Sequence, residues 1–306
     1  MKILIMAAAA GLSLASNVVA HHCADGAKVV MPSLSAEARQ TYESKLAEAR
    51  KQAENTPNDA DAIIWLGRRT AYLGEYKNAI KIFTGGIKKH PTDARMYRHR
   101  GHRYITIRCF DDAIRDFEEA AKLIRGKPDE IEPDGLPNAK NIPTSTLQSN
   151  IWYHLGLAYY LKSDFKNALR AYVEADKVST NNDMRVATAH WHYMTLRRLG
   201  REAAARKILE PFTGQVEIIE NTDYLKLIEL YRGKTVADEL LKEIGGEAKT
   251  LGSASLGYGL GNWYLYNGDK AKAAEIFRRI TAGDQWASFG FIAAEAELRF
   301  DKAKSS

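Results

Sequence analysis

The stretch from Arg95 to Arg108 concentrates basic side chains and contains no acidic residue. A guanidinium group binds a carboxylate through two parallel hydrogen bonds, so clustered arginines favour an acidic peptide or a chain's C-terminal carboxylate as ligand. The alternative is that these side chains face solvent or pair with nearby acids such as Asp116 and Glu118. The basic residues of the stretch are Arg95, Arg98, His99, Arg100, His102, Arg103 and Arg108.

Patterns for metal binding and catalysis are weaker. His99 and His102 are three residues apart, a spacing at which two helical ligands share a metal, but no third ligand is evident. The run His21-His22-Cys23 suits a soft metal ion, and the alternative is a solvated tail. There is no G-x-S-x-G, G-x-x-x-x-G-K-[ST] or H-E-x-x-H motif. We predict a non-enzymatic protein with no catalytic residues, no metal and no cofactor.

A repeat of about 34 residues organises the chain around these side chains. Copies begin at Ala60, Ala94 and Ser149, and a later one near Ala254. The copies share a glycine at the eighth position, an alanine at the twentieth and an aromatic residue at the twenty-fourth. Small residues allow two antiparallel helices to approach closely, and the aromatics fill the space towards the next helix. The matching residues are Gly67, Gly101, Gly156 and Gly261; Ala79, Ala113, Ala168 and Ala273; and Phe83, Phe117, Tyr172 and Phe277.

This pattern resembles the tetratricopeptide repeat (TPR). The resemblance implies an all-α, right-handed solenoid of antiparallel helix pairs, with a degenerate C-terminal half and a closing helix. We expect a flexible tail over residues 21–33, an N-terminal helix over 34–56 capped by Ser33 or Ser35, and a solenoid over 57–306. The order of the repeats is also loosely similar to that of NlpI-type periplasmic TPR lipoproteins, which are envelope adaptors.

In TPR arrays the first helix of each pair lines the concave face, and the resemblance assigns particular repeat positions to it. Arg100 falls where repeats usually carry leucine, so we expect it to be the structural partner of a nearby acid. The remaining basic and aromatic groups at groove positions form the predicted partner-binding groove. Its residues are Arg68, Tyr72, Arg95, Arg98, His102, Tyr153, Tyr160 and Tyr258.

A proline-rich insert over residues 125–148 separates the second and third copies and contains four acids, Asp129, Glu130, Glu132 and Asp134. Long ordered loops are uncommon and usually functional. Our hypothesis is that the insert folds against the array, its acids facing the arginines of the second repeat, and narrows or occupies the groove. We expect its anchors to be apolar residues, namely Ile131, Leu136, Ile142 and Leu147.

Residues 1–20 have the layout of a secretory signal peptide, with one lysine, an apolar run and small residues up to Ala20. We predict cleavage after Ala20, a periplasmic or secreted location and no membrane insertion afterwards. A lipid anchor on Cys23 is a rival interpretation, but His22 stands where lipidation needs a small residue. The sequence leaves open whether Cys23 and Cys109, the two cysteines of the chain, form a disulfide.

The formal net charge of +6 falls by one when Lys2 is removed, and this value does not indicate nucleic-acid binding. Two functions from different classes remain. The first is a scaffold or adaptor that binds a protein or an extended acidic peptide in its concave groove. The second is an enzyme or metal-dependent protein acting on an envelope substrate such as a glycan. The sequence also leaves open whether the protein forms a homodimer.

Overall fold

The computed structural model describes residue 23 and residues 26–245 and 251–305. The predicted signal peptide lies outside the described residues. The described ranges are helical apart from loops and one isolated antiparallel bridge, Ile131 to Thr146, so the predicted all-α fold is confirmed. The helices are α1 (Ala36–Asn55), α2 (Ala60–Tyr72), α3 (Tyr76–Lys89), α4 (Ala94–Thr106), α5 (Phe110–Leu123), α6 (Leu147–Leu161), α7 (Phe165–Val178), α8 (Asn182–Arg198), α9 (Glu202–Ile208), α10 (Thr222–Tyr231), α11 (Ala237–Gly245), α12 (Leu251–Tyr266), α13 (Lys270–Thr281) and α14 (Phe289–Ser305).

Consecutive helices pack against each other from α1 to α9 and from α11 to α14, as expected for a solenoid, whereas α10 packs on α8 and α12. Glycine at the eighth repeat position permits this packing because the partner aromatic ring occupies the space of a side chain. A Cβ added to Gly67 would lie 2.4 Å from the ring of Phe83, and one added to Gly156 would lie 2.7 Å from that of Tyr172. Gly101 and Gly261 stand in the same relation to their own aromatics. All four copies thus place the aromatic ring against the glycine of their own pair, a contact that was not predicted; Phe83 also stacks on His99 of the next pair, in the direction that was predicted.

The N-terminal segment is held against the array. Ser35 is the N-cap of α1, and its hydroxyl accepts the Ala38 N–H at 3.1 Å, as in one of the two predicted caps. Further upstream, Cys23 and Cys109 form a disulfide, which settles the pairing that the sequence left open. The segment predicted to be a flexible tail is thus tethered covalently to the turn between α4 and α5.

The C-terminal half turns back over the first half. Helix α14 packs on α12 and α13, as a closing helix should, and it also contacts α6. The Arg108 guanidinium lies 3.8 Å above the Trp286 ring and 2.9 Å from the Glu295 carboxylate. Arg108 has a left-handed backbone, with φ of 65°. These contacts join the turn after α4 to the last helix, so the concave face of the first repeats is partly covered.

No helix in the described part of the chain is both long and apolar enough to cross a membrane.

Candidate functional site

The proline-rich insert crosses the concave face from the first repeat to α8. Near α2, Arg68 donates a hydrogen bond to the Pro133 carbonyl at 2.8 Å, and Arg69 donates one to the Gly135 carbonyl at 2.7 Å. At its other end, Thr144 donates to the Glu220 carboxylate at 2.8 Å. The insert therefore folds against the array and occupies part of the groove, as we predicted.

The way in which the insert is anchored differs from our expectation. Ile131, Leu136 and Ile142 are 68%, 48% and 49% exposed, so they are not anchors; of the predicted apolar contacts only Leu147 is buried. The segment is held by arginine–carbonyl hydrogen bonds and by one buried ion pair instead. Proline-rich backbone leaves carbonyl groups without helical partners, and the guanidinium groups of α2 satisfy them.

The buried ion pair joins Arg98 to Glu132, with Nε and Oε2 2.9 Å apart. Of the four acids of the insert, Glu132 alone pairs with an arginine of the second repeat. Asp129 instead accepts backbone N–H groups of Glu130 and Gln148, at 2.9 and 3.0 Å, and so fixes the start of the loop. The predicted match of four acids to the arginines is therefore reduced to one contact.

Two other arginines of the second repeat, Arg95 and Arg100, are paired within the array. Arg95 contacts Asp61 at 2.5 Å and Asp93 at 2.6 Å, and these carboxylates raise its pKa. Arg100 contacts Asp116 at 2.6 Å and also donates to Thr84, which confirms its predicted structural role. A carboxylate from a partner would have to compete with these internal acids.

Arg98 also organises the histidines of α4. Its Nη1 donates to Nδ1 of His99 at 3.2 Å and to Nδ1 of His102 at 3.3 Å. Burial, together with the neighbouring arginines, holds the pKa of both rings well below the usual value. Both histidines are neutral at physiological pH, with the hydrogen on Nε2. Among the described residues, the one group of three mutually close ligand atoms is Cys23, Cys109 and Asp112, and it does not include this histidine pair; its two cysteines are disulfide-bonded.

Beside the insert lies a cavity of about 560 Å³, which we call the central cavity. Its wall is formed by the first helices of successive pairs, the insert, the loop before α10 and the segment before α14. The volume falls within the range of ligand pockets. The lining residues are His102, Thr144, Asn150, Tyr153, His154, Met184, Ala187, Glu220, Asn221, Thr222, Asp223, Tyr224, Ser255, Ala287, Ser288 and Phe289.

One side of the central cavity is acidic. The buried Asp183 carboxylate accepts the N–H groups of Ile219, Glu220 and Asn221, with the shortest bond, to Glu220, at 2.7 Å. This places Glu220 and Asp223 in the wall. Asp223 Oδ2 is buried without a hydrogen bond from the described residues, and burial raises the pKa of this carboxyl. No lysine or arginine lines the cavity.

The opposite side is aromatic and uncharged. His154 donates its Nδ1 hydrogen to the Asn150 carbonyl at 2.6 Å, so its Nε2 is an acceptor. Burial, together with Arg98, keeps the pKa of His154 well below its ordinary value. His154 lies 4.7 Å from His102 and 5.4 Å from Phe289 between ring centres. A ligand here would meet tilted and edge-on aromatic rings on one side and carboxylates on the other.

A second, smaller cavity of about 100 Å³ lies beneath the insert, and we call it the basic cavity. His102 lines both cavities and separates them. The lining residues are Arg68, Ala71, Tyr72, Phe83, Arg98, His99, His102, Arg103 and Glu132.

The predicted groove residues are therefore divided among several environments. Arg68, Tyr72 and Arg98 line the basic cavity, His102 lines both cavities, and Tyr153 lines the central cavity. Arg95 lies outside both, in its ion pairs with Asp61 and Asp93. Tyr160 and Tyr258 lie behind the cavity wall, 2% and 1% exposed, and their hydroxyls are 3.1 Å apart. These two tyrosines join α6 to α12 and present no surface to a partner in this structure.

Several cavity residues were not predicted. Glu220 and Asp223 belong to the stretch where the repeat pattern degrades, and no register assigned them to the concave face. The run Asn221-Thr222-Asp223 was a detectable helix start, and it would have placed Asp223 in the first turn of α10. His154 and Arg103 occupy repeat positions that the groove assignment does not include.

Comparison with known proteins supports the repeat assignment. Residues 149–182, which contain most of α6 and all of α7, match the family model of the tetratricopeptide repeat. This helix pair is a tetratricopeptide repeat. No curated protein matches the chain in sequence.

Among solved structures, the chain is similar to YrrB, described as a TPR protein with an unusual peptide-binding site. The identity is 16%, the match covers 82% of this chain and 97% of YrrB, and the TM-score is 0.43. MamA matches at 14% identity over 60% of this chain and 92% of its own, with a TM-score of 0.44. A chain from a Naa15/Naa10 complex bound to HypK-THB matches at 16% identity. The match covers 80% of this chain and 34% of that chain, with a TM-score of 0.38.

Proposed function

We propose that this chain is an exported, non-enzymatic TPR-type scaffold that binds a segment of a partner protein in the central cavity. TPR arrays usually serve protein interaction, which is the coarser part of this proposal. The observation that carries the finer part is the central cavity itself, because first helices of successive pairs converge on it together with the insert. The periplasmic or secreted location follows from the signal-peptide pattern of residues 1–20.

The chemistry of the wall favours a segment with an apolar or aromatic body and a basic group. Tyr153, Tyr224 and Phe289 supply rigid apolar area, which binds at a low entropic cost. Glu220 and Asp223 supply negative charge; no cation lines the cavity, and Lys226, outside the lining, lies 4.0 Å from Asp223 Oδ1. An acidic segment, which the sequence favoured, would instead have to displace Glu132 from Arg98.

The experiment is selection of peptides from a random display library on the purified mature chain, followed by titration of the selected peptides. We expect lysine or arginine next to an aromatic or aliphatic residue in the selected set. Asp223→Asn removes the charge at nearly constant volume and should weaken binding at least tenfold. The matched control is Asp238→Asn, which removes an exposed acid from the first turn of α11 and should leave binding unchanged.

A second variant tests, without changing any charge, whether the peptide binds in the central cavity. Ser255 lies in the wall on α12, so Ser255→Phe fills part of the cavity and should compete with the bound segment. Circular dichroism and the thermal midpoint report whether the fold is kept. Selected peptides that are acidic, or that bind the wild type, Asp223→Asn and Ser255→Phe equally, would overturn the assignment to the central cavity.

A further inference from the structure

The basic cavity contains more positive charge than its own acid can neutralise. Arg68, Arg98 and Arg103 line it, and Glu132 is the one carboxylate in its wall. Because Glu132 is paired with Arg98, the guanidinium groups of Arg68 and Arg103 have no carboxylate within 4.0 Å in the described part of the chain. Two cationic groups without a carboxylate partner therefore line this small cavity.

Arg103 is the arginine of the basic cavity that has no side-chain partner among the described residues. No side-chain hydrogen bond or ion pair links it to a described residue, and the Tyr76 ring centre lies 5.9 Å from its Cζ. Burial lowers the pKa of Arg103 to about 10, and Arg98 and Arg68 act in the same direction. The side chain is nevertheless charged at neutral pH. Arg103 is partly buried, and a partly buried cation gains from a counter-ion, so this position suits an anion.

Arg68 can share that anion. It uses one N–H on the Pro133 carbonyl, and its guanidinium rests 4.4 Å above the Trp65 ring, which fixes its direction. An arginine fork has five donors, so most of those of Arg68 are left for a ligand. Asp134 and Arg69 both interact electrostatically with Arg68, but neither side chain forms an ion pair or hydrogen bond with it.

The histidines of the cavity make it a donor site without adding charge. His99 and His102 are neutral, and each accepts from Arg98 through Nδ1. Their remaining hydrogens are therefore on Nε2, which is a donor. The His99 Nε2 is 4.0 Å from Glu132, beyond hydrogen-bond distance, so its donor is not used by that carboxylate.

We propose that the basic cavity binds one small tetrahedral oxyanion of the phosphate and sulfate class, held by the guanidinium groups of Arg68 and Arg103. The volume of about 100 Å³ is about three times the share of a water molecule in the liquid. It suits one such ion and excludes a peptide segment. Planar forks with several N–H groups match the oxygens of these anions, and the insert covers the site. This ion would link α2, α4 and the insert.

The test is isothermal titration calorimetry of the disulfide-intact mature chain with inorganic phosphate and with sulfate, at constant ionic strength set with chloride. We expect a one-to-one complex, and a rise of the thermal midpoint that chloride does not produce. Arg103→Gln should weaken binding of both ions at least tenfold. The control is Arg197→Gln on α8, because Arg197 also has no carboxylate partner among the described residues but lies outside the cavity.

One further variant and one further ligand complete the test. If Arg103→Gln does not fold, Arg103→Lys keeps the charge while losing the fork, and it should bind phosphate more weakly than the wild type. Titration with phenyl phosphate separates the sources of the same chemistry. Weaker binding than that of inorganic phosphate assigns the site to a free ion, and tighter binding assigns it to a phosphorylated group. Equal binding of phosphate by the wild type and a folded Arg103→Gln, or no effect of either ion beyond that of chloride, would overturn the site.

Discussion

Arg98 Nε lies 2.9 Å from the Glu132 carboxylate, and their side chains are only 8% and 10% exposed. The contact joins α4 to the proline-rich insert, directly after the antiparallel bridge that Ile131 makes with Thr146. A buried ion pair of this kind adds little net stability over apolar residues, but removing one partner leaves an uncompensated buried charge. This pair therefore holds the insert on the concave face together with the hydrogen bonds from Arg68 and Arg69.

Glu132→Gln should lower the free energy of unfolding by about 3–5 kcal/mol, because Arg98 then lies buried without its counter-ion. Urea denaturation followed by circular dichroism measures the change. Glu130→Gln is the matched control, since Glu130 belongs to the same insert and is exposed, and it should leave stability unchanged. The double variant Arg98→Met, Glu132→Leu should lose less than Glu132→Gln alone. A stability of Glu132→Gln close to that of the wild type would contradict this account.

Two glycine-to-alanine substitutions test the packing rule of the repeat. In α6, a methyl group on Gly156 meets the Tyr172 ring at 2.7 Å, so Gly156→Ala should cost about 1–3 kcal/mol by overpacking. In α3, Gly85 is exposed and an added Cβ meets nothing within 4 Å. Gly85→Ala should therefore stabilise the protein by about 0.5–1 kcal/mol through helix propensity. Thermal or urea unfolding measures both, and effects of the same sign would contradict the rule.

The repeat was predictable from the sequence because its determinants are local and recur. A glycine at the eighth position and an aromatic at the twenty-fourth contact each other within one helix pair, as Gly67 and Phe83 do. The cap at Ser35 and the pairing of Arg100 with Asp116 also connect residues at most sixteen apart. Patterns at such separations are visible in a single sequence.

The site was less predictable because it depends on contacts between distant segments. Arg108 and Glu295 are 187 residues apart, and their contact results from the C-terminal half folding back over the array. This closure buries Tyr160 and Tyr258, which an open array would leave facing the groove. The charge of Glu132 was visible, but which of four neighbouring acids reaches Arg98 depends on the path of the loop backbone.

Loss of the Cys23–Cys109 disulfide should destabilise the protein by about 2–4 kcal/mol, because the bond closes a long loop in the unfolded chain. The two residues are separated by 86 positions. Urea denaturation with and without reductant measures the effect on the wild type. Cys23→Ser should match the reduced wild type and should not respond to reductant. Equal stability of oxidised and reduced wild type would contradict the prediction.

Buried histidines should make the protein acid-sensitive. Burial lowers the pKa of His190 to about 3, from an ordinary value of 6.5. Between these pH values the unfolded chain binds a proton at this residue and the folded chain does not. The free energy of unfolding therefore decreases as pH falls below 6.5, by about 1.4 kcal/mol per pH unit for one such histidine. The lowered pKa values of His99, His102 and His154 act in the same direction.

The His190 ring centre lies 4.7 Å from that of Tyr224 and 5.9 Å from that of Tyr231. His190→Phe isolates the contribution of the proton because a phenyl ring fills the same place without titrating. Between about pH 6 and 4, the free energy of unfolding of the His190→Phe variant should fall less steeply than that of the wild type. The two slopes should differ by about 1.4 kcal/mol per pH unit. The substitution also leaves the Tyr231 hydroxyl without its acceptor, Nδ1 of His190 at 3.0 Å. Tyr231→Phe controls for that loss, and it should lower stability while keeping the wild-type slope. Urea denaturation at several pH values distinguishes the two variants, and an unchanged slope in His190→Phe would show that His190 is already protonated in the folded state.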